Sequence, residues 1–167
     1  PKGIIDHFSE ALRIPENQKY GAFHGKESFK EAIVNFYERQ YGVTLHKDEE
    51  VCILYGTKNG LVALPTCVVN PGETVLLPDP GYTDYLAGVM LADANPVTLE
   101  LEPLNYLPDW NKIDPQVLKD TKLIYLTYPN NPTGSTATQS VFDEAVQRFK
   151  DTDTKIVHDL SLIHIWR

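Results

Sequence analysis

The 167 residues include 42% hydrophobic and 23% charged side chains, which suits a soluble globular domain with a sizeable core and excludes a disordered or fibrous chain. The net charge of -8 comes from 15 basic and 23 acidic residues with no basic run to follow a phosphate backbone, so no nucleic-acid partner is expected. No apolar stretch nears the roughly 20 residues of a membrane span, and no secretory signal is legible in a chain that starts at Pro1, so no membrane partner is expected.

The first residues place Ile4, Ile5, Phe8 and Leu12 at the spacing of one helix side. A glycine-punctuated loop, Gln18 to Gly25, contains Tyr20 and Phe23. From Lys26 a second amphipathic helix is expected, with Phe29, Ala32, Ile33, Phe36 and Tyr37 as a core-facing stripe and Gly42 as its C-terminal cap.

An alternation then sets the fold class. Strands are expected at Val51 to Tyr55, Thr74 to Leu77, Pro96 to Leu101, Lys122 to Thr127 and Lys155 to His158. Helices are expected between them at Lys58 to Val69, Tyr82 to Leu91, Pro115 to Lys119 and Thr138 to Phe149. Strand and helix in strict turn predict an α/β fold, a mostly parallel sheet with crossover helices. Pro65 should kink its helix without ending it, because proline removes one backbone bond. Cys52 and Cys67 match neither a disulfide framework nor a metal-ligand spacing and are expected to be small buried residues, which permits a reducing compartment.

In an open parallel sheet, ligands bind beyond the carboxyl ends of the strands. Gly56-Thr57-Lys58-Asn59-Gly60 follows the first expected strand and opens a helix, with Thr57 placed to cap it; exposed amides and the helix dipole there suit an anion. Pro78-Asp79-Pro80-Gly81-Tyr82 follows the second and sets Tyr82 where its ring can lie on a planar ligand, or simply join the core. Tyr128-Pro129-Asn130-Asn131-Pro132-Thr133-Gly134 follows the fourth, with turn chemistry throughout and Asn131 able to donate to a ligand oxygen. His158-Asp159 closes the fifth, where a carboxylate can hold a cationic ring nitrogen or cap the next helix. His158, Asp159 and His164 fit no common metal-ligand pattern, and no metal is expected. A flat protonated heteroaromatic with a phenolic oxygen and a phosphate would use all four positions, and pyridoxal 5'-phosphate has that form.

With those residues in hand, the succession Tyr20, Gly56-Thr57-Lys58, Pro80-Gly81-Tyr82, Asn130 to Gly134 and His158-Asp159 resembles the class I/II, fold type I pyridoxal-phosphate-dependent aminotransferases. The resemblance implies that Gly56, Thr57 and Lys58 hold the cofactor phosphate, Tyr82 stacks on the ring, Asn131 bonds the ring oxygen and Asp159 pairs with the ring nitrogen. It implies that Tyr20 reaches the phosphate of a neighbouring subunit, hence a homodimer. The small-molecule partners would be an amino acid and a 2-oxo acid, in the cytoplasm.

The chain is expected to divide into an N-terminal segment and loop (1–25), a partial cofactor-binding large domain (26–160) and a tail (161–167) that is atypical because it continues an apolar run without turn chemistry, and is either native or non-native. The family's tyrosine shortly after the acid is not matched, since Leu162 stands three residues after Asp159. The Schiff-base lysine and the substrate-binding arginine are not matched either, and Lys58 cannot replace that lysine from its phosphate position. The segment alone is therefore expected to be inactive. Two rivals stay open: a carbon-sulfur lyase of the same fold, and a non-catalytic phosphate- or nucleotide-binding module. A Ser-His-Asp hydrolase lacks its Gly-x-Ser-x-Gly elbow.

Overall fold

A computed structural model describes residues 2–160, so the expected tail and Leu162 lie outside the described residues. The chain divides into two compact units, one running to Tyr55 and one starting at Gly56.

The N-terminal unit carries helix α1 (Lys2–Leu12), a 3-10 turn (Pro15–Gln18) and helix α2 (Glu27–Tyr41). Gly42 ends α2 as expected, at φ 65, with its amide bonded to the Glu38 carbonyl. Ile4, Ile5, Phe8 and Leu12 do share a helix, yet each is more than half exposed. The stripe on α2 is not a core face in this unit: Phe29 is exposed, and Phe36, Tyr37 and Tyr41 mainly pack edge-on against one another. Lys30 is instead buried, 3.7 Å from Asp48 and 4.0 Å from Glu27. Val51 to Tyr55 forms no strand, because no ladder among the described residues pairs with it. Ile53 lies against Gly25, where φ is 81 and any Cβ would collide with the isoleucine.

The second unit follows the expected alternation. It runs α3 (Thr57–Val68), β1 (Thr74–Asp79), α4 (Asp84–Leu91), β2 (Asn95–Glu100), α5 (Pro115–Asp120), β3 (Thr121–Thr127), α6 (Gln139–Phe149) and β4 (Lys155–Asp159). The four strands pair in parallel in the order β2-β1-β3-β4. β3 lies inside the sheet and its side chains from Leu123 to Leu126 are essentially fully buried. Their alternation feeds two cores. Ile124 and Leu126 meet Leu76, Leu99, Trp110 and the α6 residues Val141, Ala145 and Phe149 on one face. Leu123 and Tyr125 meet Val75, Tyr85 and Val89 on the other, with Leu61 and Leu64 of α3 packed against them. Burial of each such aliphatic side chain is worth about 1.5–3 kcal/mol.

Two backbone details fix α3. Gly88 of α4 faces it so closely that a Cβ there would lie 2.7 Å from the Val62 carbonyl oxygen. Pro65 lies within the helix, which continues to Val68. A proline cannot donate to the carbonyl four residues earlier, and that carbonyl, of Leu61, accepts the Tyr125 hydroxyl at 2.8 Å. Cys67 on α3 and Cys52 are both exposed, against expectation; α3 turns the cysteine away from the sheet face that takes Leu61 and Leu64. Among the described residues, no helix is long and apolar enough to cross a membrane.

The strand order reverses at β1. The chain steps from β1 to β2 on one side, then returns to place β3 on the other. The carboxyl ends of β1 and β3 therefore form a topological switch point, where a crevice opens in sheets of this kind.

Candidate functional site

A cleft of about 160 Å³ occupies that switch point, lined by Thr57, Lys58, Leu61, Tyr82, Thr127, Asn131 and Asp159. Five of the residues singled out from sequence thus meet in one place. Larger hollows of about 490 and 320 Å³ lie in the N-terminal unit, but none of the expected site residues lines them. At 160 Å³ the cleft is smaller than the roughly 300 Å³ of the smallest common ligand pockets, so it supplies a floor and part of a wall rather than an enclosure.

Gly56, not Thr57, is the N-cap of α3; its φ of 87 and ψ of 143 favour glycine. Thr57 and Lys58 are then the first residues of the helix, where backbone amides lack a partner four residues back. The Lys58 ammonium lies 2.6 Å from Asp84 Oδ2, an ion pair that sequence spacing did not announce because its members stand on different helices. Hydrogen bonding and charge from Asp84 raise the Lys58 pKa above its usual value, and Lys58, then Tyr82, lower that of Asp84. Tyr82 is held above the usual phenol range first by its hydrogen bond to Asp84 and then by burial.

Tyr82 leaves β1 through Gly81, where any Cβ would collide with the Pro78 carbonyl oxygen. Its ring meets that of Tyr85 edge-on at 5.5 Å. Tyr85 is buried, stacks on Tyr125 at 4.5 Å and 11°, and donates its hydroxyl to Asp159 Oδ2 at 2.8 Å. A tyrosine in an apolar helix carries no sequence mark of such a bond, and its reach to β4 is visible only in three dimensions.

The two asparagines after β3 divide their work. Asn130 is buried and holds the turn: its Oδ1 accepts from the Thr133 amide and hydroxyl at 3.2 and 2.7 Å, and its Nδ2 donates to the Pro80 carbonyl at 3.3 Å. That last bond ties the β3 loop to the β1 loop. Asn131 is left to line the cleft. His158 faces elsewhere, with Nε2 3.3 Å from the Tyr128 carbonyl and its ring 4.5 Å from Phe142; burial lowers its pKa. Tyr20 lies in the N-terminal unit, fully exposed.

The family model for aminotransferase class I and II matches residues 1–161. The chain belongs to this family. It is 43% identical over 165 residues to the L-glutamine–4-(methylsulfanyl)-2-oxobutanoate aminotransferase of Bacillus subtilis, covering 96% of this chain and 41% of that protein. It is 37% identical over 166 residues to the LL-diaminopimelate aminotransferase of Halothermothrix orenii, covering 99% of this chain and 43% of the relative. A solved aminotransferase from Staphylococcus aureus superposes with a TM-score of 0.92 at 77% identity, covering 95% of this chain and 42% of that one. The chain therefore spans about two-fifths of the length of the relatives it matches.

Aminotransferases of this family are pyridoxal-phosphate-dependent enzymes of fold type I, and the parallel sheet agrees with that fold. The donor set of the cleft fits the cofactor's chemistry. A helix N-terminus with Thr57 and Lys58 suits a phosphate, an asparagine amide suits a phenolic oxygen, a carboxylate suits a protonated ring nitrogen, and a tyrosine ring suits a π-face.

Proposed function

We propose that this chain is the cofactor-binding part of an aminotransferase that moves an amino group between an amino acid and a 2-oxo acid. The observation that supports this reading is the convergence of Thr57, Lys58, Tyr82, Asn131 and Asp159 on one cleft at the switch point. Bound there, pyridoxal 5'-phosphate supplies the electron sink on which amino-group chemistry depends.

The chain's own residues do the binding and tuning. Gly56 lets the backbone turn toward the phosphate while Thr57 and Lys58 hold it. Tyr82 covers one face of the ring and keeps water from it. Asn131 donates to the ring oxygen, and the Asp159 carboxylate favours the proton on the ring nitrogen by its charge. Tyr20 serves the phosphate site of a neighbouring subunit in a homodimer. In this reading residues 1–25 are an N-terminal segment and loop and residues 26–160 the partial cofactor-binding domain, a functional division that differs from the two compact units, which divide between Tyr55 and Gly56. The proton-moving lysine is matched nowhere among residues 1–160, so the segment alone does not turn over. A cytoplasmic setting agrees with two exposed free thiols.

The two relatives described above carry different substrates in their names while matching this chain at 43% and 37% identity, so we place substrate choice mainly outside this region. The test is a transamination assay of the full-length protein carrying this sequence, across amino acids and 2-oxo acids. Turnover is expected, with Asp159→Ala lowering kcat/KM by at least about a hundredfold, the scale of losing a preorganised charge in an active site. Full activity in Asp159→Ala, or no transfer with any pair, would overturn the proposal.

A further inference from the structure

Asp159 stands at the end of β4, and Tyr85 of α4 reaches its carboxylate. The Tyr85 hydroxyl donates to Asp159 Oδ2 at 2.8 Å, and because an ionised carboxylate can only accept, the direction of the bond is set. Burial pushes the phenol well above its usual range, so it stays a neutral donor at any working pH.

The ring behind that hydroxyl is held in turn. Tyr125 stacks on it nearly parallel, and the Tyr125 hydroxyl is committed to the Leu61 carbonyl that Pro65 leaves without its amide. Leu61 lies on α3, one turn beyond Thr57 and Lys58, and itself lines the cleft. The two ends of the candidate site, the α3 N-terminus and the β4 carboxylate, are thereby referenced to one pair of stacked rings.

We propose that Tyr85 is a positioning residue that fixes the Asp159 carboxylate for the ring nitrogen of the cofactor, with Tyr125 clamping Tyr85 to α3. The proposal rests on the cofactor reading given above. No proton passes through Tyr85. It keeps the carboxylate oriented, and a hydrogen bond to the charged form favours that form, so the charge on Asp159 and the proton on the ring nitrogen support each other.

The test loads the full-length protein with pyridoxal 5'-phosphate labelled with 15N in the ring and compares wild type with Tyr85→Phe, Tyr125→Phe and Asp159→Asn. Phenylalanine keeps the ring and its stacking, and Tm checks that each variant folds. In Tyr85→Phe the ring 15N signal should move part of the way toward its position in Asp159→Asn, and cofactor affinity should fall about tenfold, the scale of one lost charge-assisted hydrogen bond. Tyr125→Phe should lower Tm while leaving the 15N signal nearer to wild type. If wild type binds the cofactor and Tyr85→Phe matches it in both signal and affinity, the positioning role is wrong while the cofactor reading stands. If wild type itself does not bind, the cofactor reading fails and takes this role with it. A Tyr85→Phe that loses Tm but keeps the wild-type 15N signal would make the residue merely structural.

Discussion

Helices α1 and α6 are both amphipathic in sequence, yet they end differently. Val141, Ala145 and Phe149 of α6 are buried against Ile124 and Leu126 of the sheet, while Ile4, Ile5, Phe8 and Leu12 of α1 are exposed within their unit. The difference is the presence of a second layer. Periodicity announces which side of a helix is apolar, but only an adjacent sheet or helix turns that side into a core.

The largest expected effect breaks the core side of that comparison. Ile124→Ala should cost about 2–5 kcal/mol in chemical denaturation, from lost burial and the cavity left in a packed face, whereas Phe8→Ala should stay within about 0.5 kcal/mol as an exposed substitution. Equal losses would mean that α1 has a covering layer of its own. Two helical glycines sharpen the contrast next. Gly88→Ala pushes a methyl onto the Val62 carbonyl and should destabilise by about 1–3 kcal/mol. Gly3→Ala meets nothing within 4 Å and should stabilise α1 by up to about 1 kcal/mol through helix propensity, read as a rise in Tm. A neutral Gly88→Ala would show that α3 and α4 can separate without penalty.

The smallest effect concerns His158. Burial holds its folded pKa below the ordinary 6.5, so between those values the unfolded chain binds more protons than the folded one. The associated stability is complete above pH 6.5 and is lost as pH falls from there through the folded value. His158→Gln should flatten that slope in unfolding curves taken across the acid range. An unchanged slope would assign it to carboxylates instead.

Much of the second unit was legible because apolar runs such as Leu123 to Leu126 are short, bounded by turn residues, and separated by helical patterns. The positions of Tyr82, Asn131 and Asp159 were legible because strand ends in an open sheet converge, whereas Thr57 and Lys58 reach the cleft from the N-terminus of α3 and not from a strand end. Other features depend on neighbours that are distant in the chain. Among the described residues, Val51 to Tyr55 has strand composition but no partner strand, and the α2 aromatics have the spacing of a core face without a core to meet. Asn130 and Asn131 read alike, yet the hydrogen bonds to Thr133 and Pro80 make the first a scaffold and leave the second in the cleft. The Lys58–Asp84 pair and the Tyr85–Asp159 bond join residues 26 and 74 apart, a separation at which spacing carries no signal.

The measurement closest to the central claim is a titration of the full-length protein with pyridoxal 5'-phosphate, followed by cofactor absorbance, in wild type, Asn131→Ala and Asp159→Ala. The account predicts saturable binding to wild type, weakened about tenfold or more in each variant by the loss of one polar contact, with the larger loss in Asp159→Ala. Binding to all three with the same affinity would contradict the placement of the cofactor in this cleft.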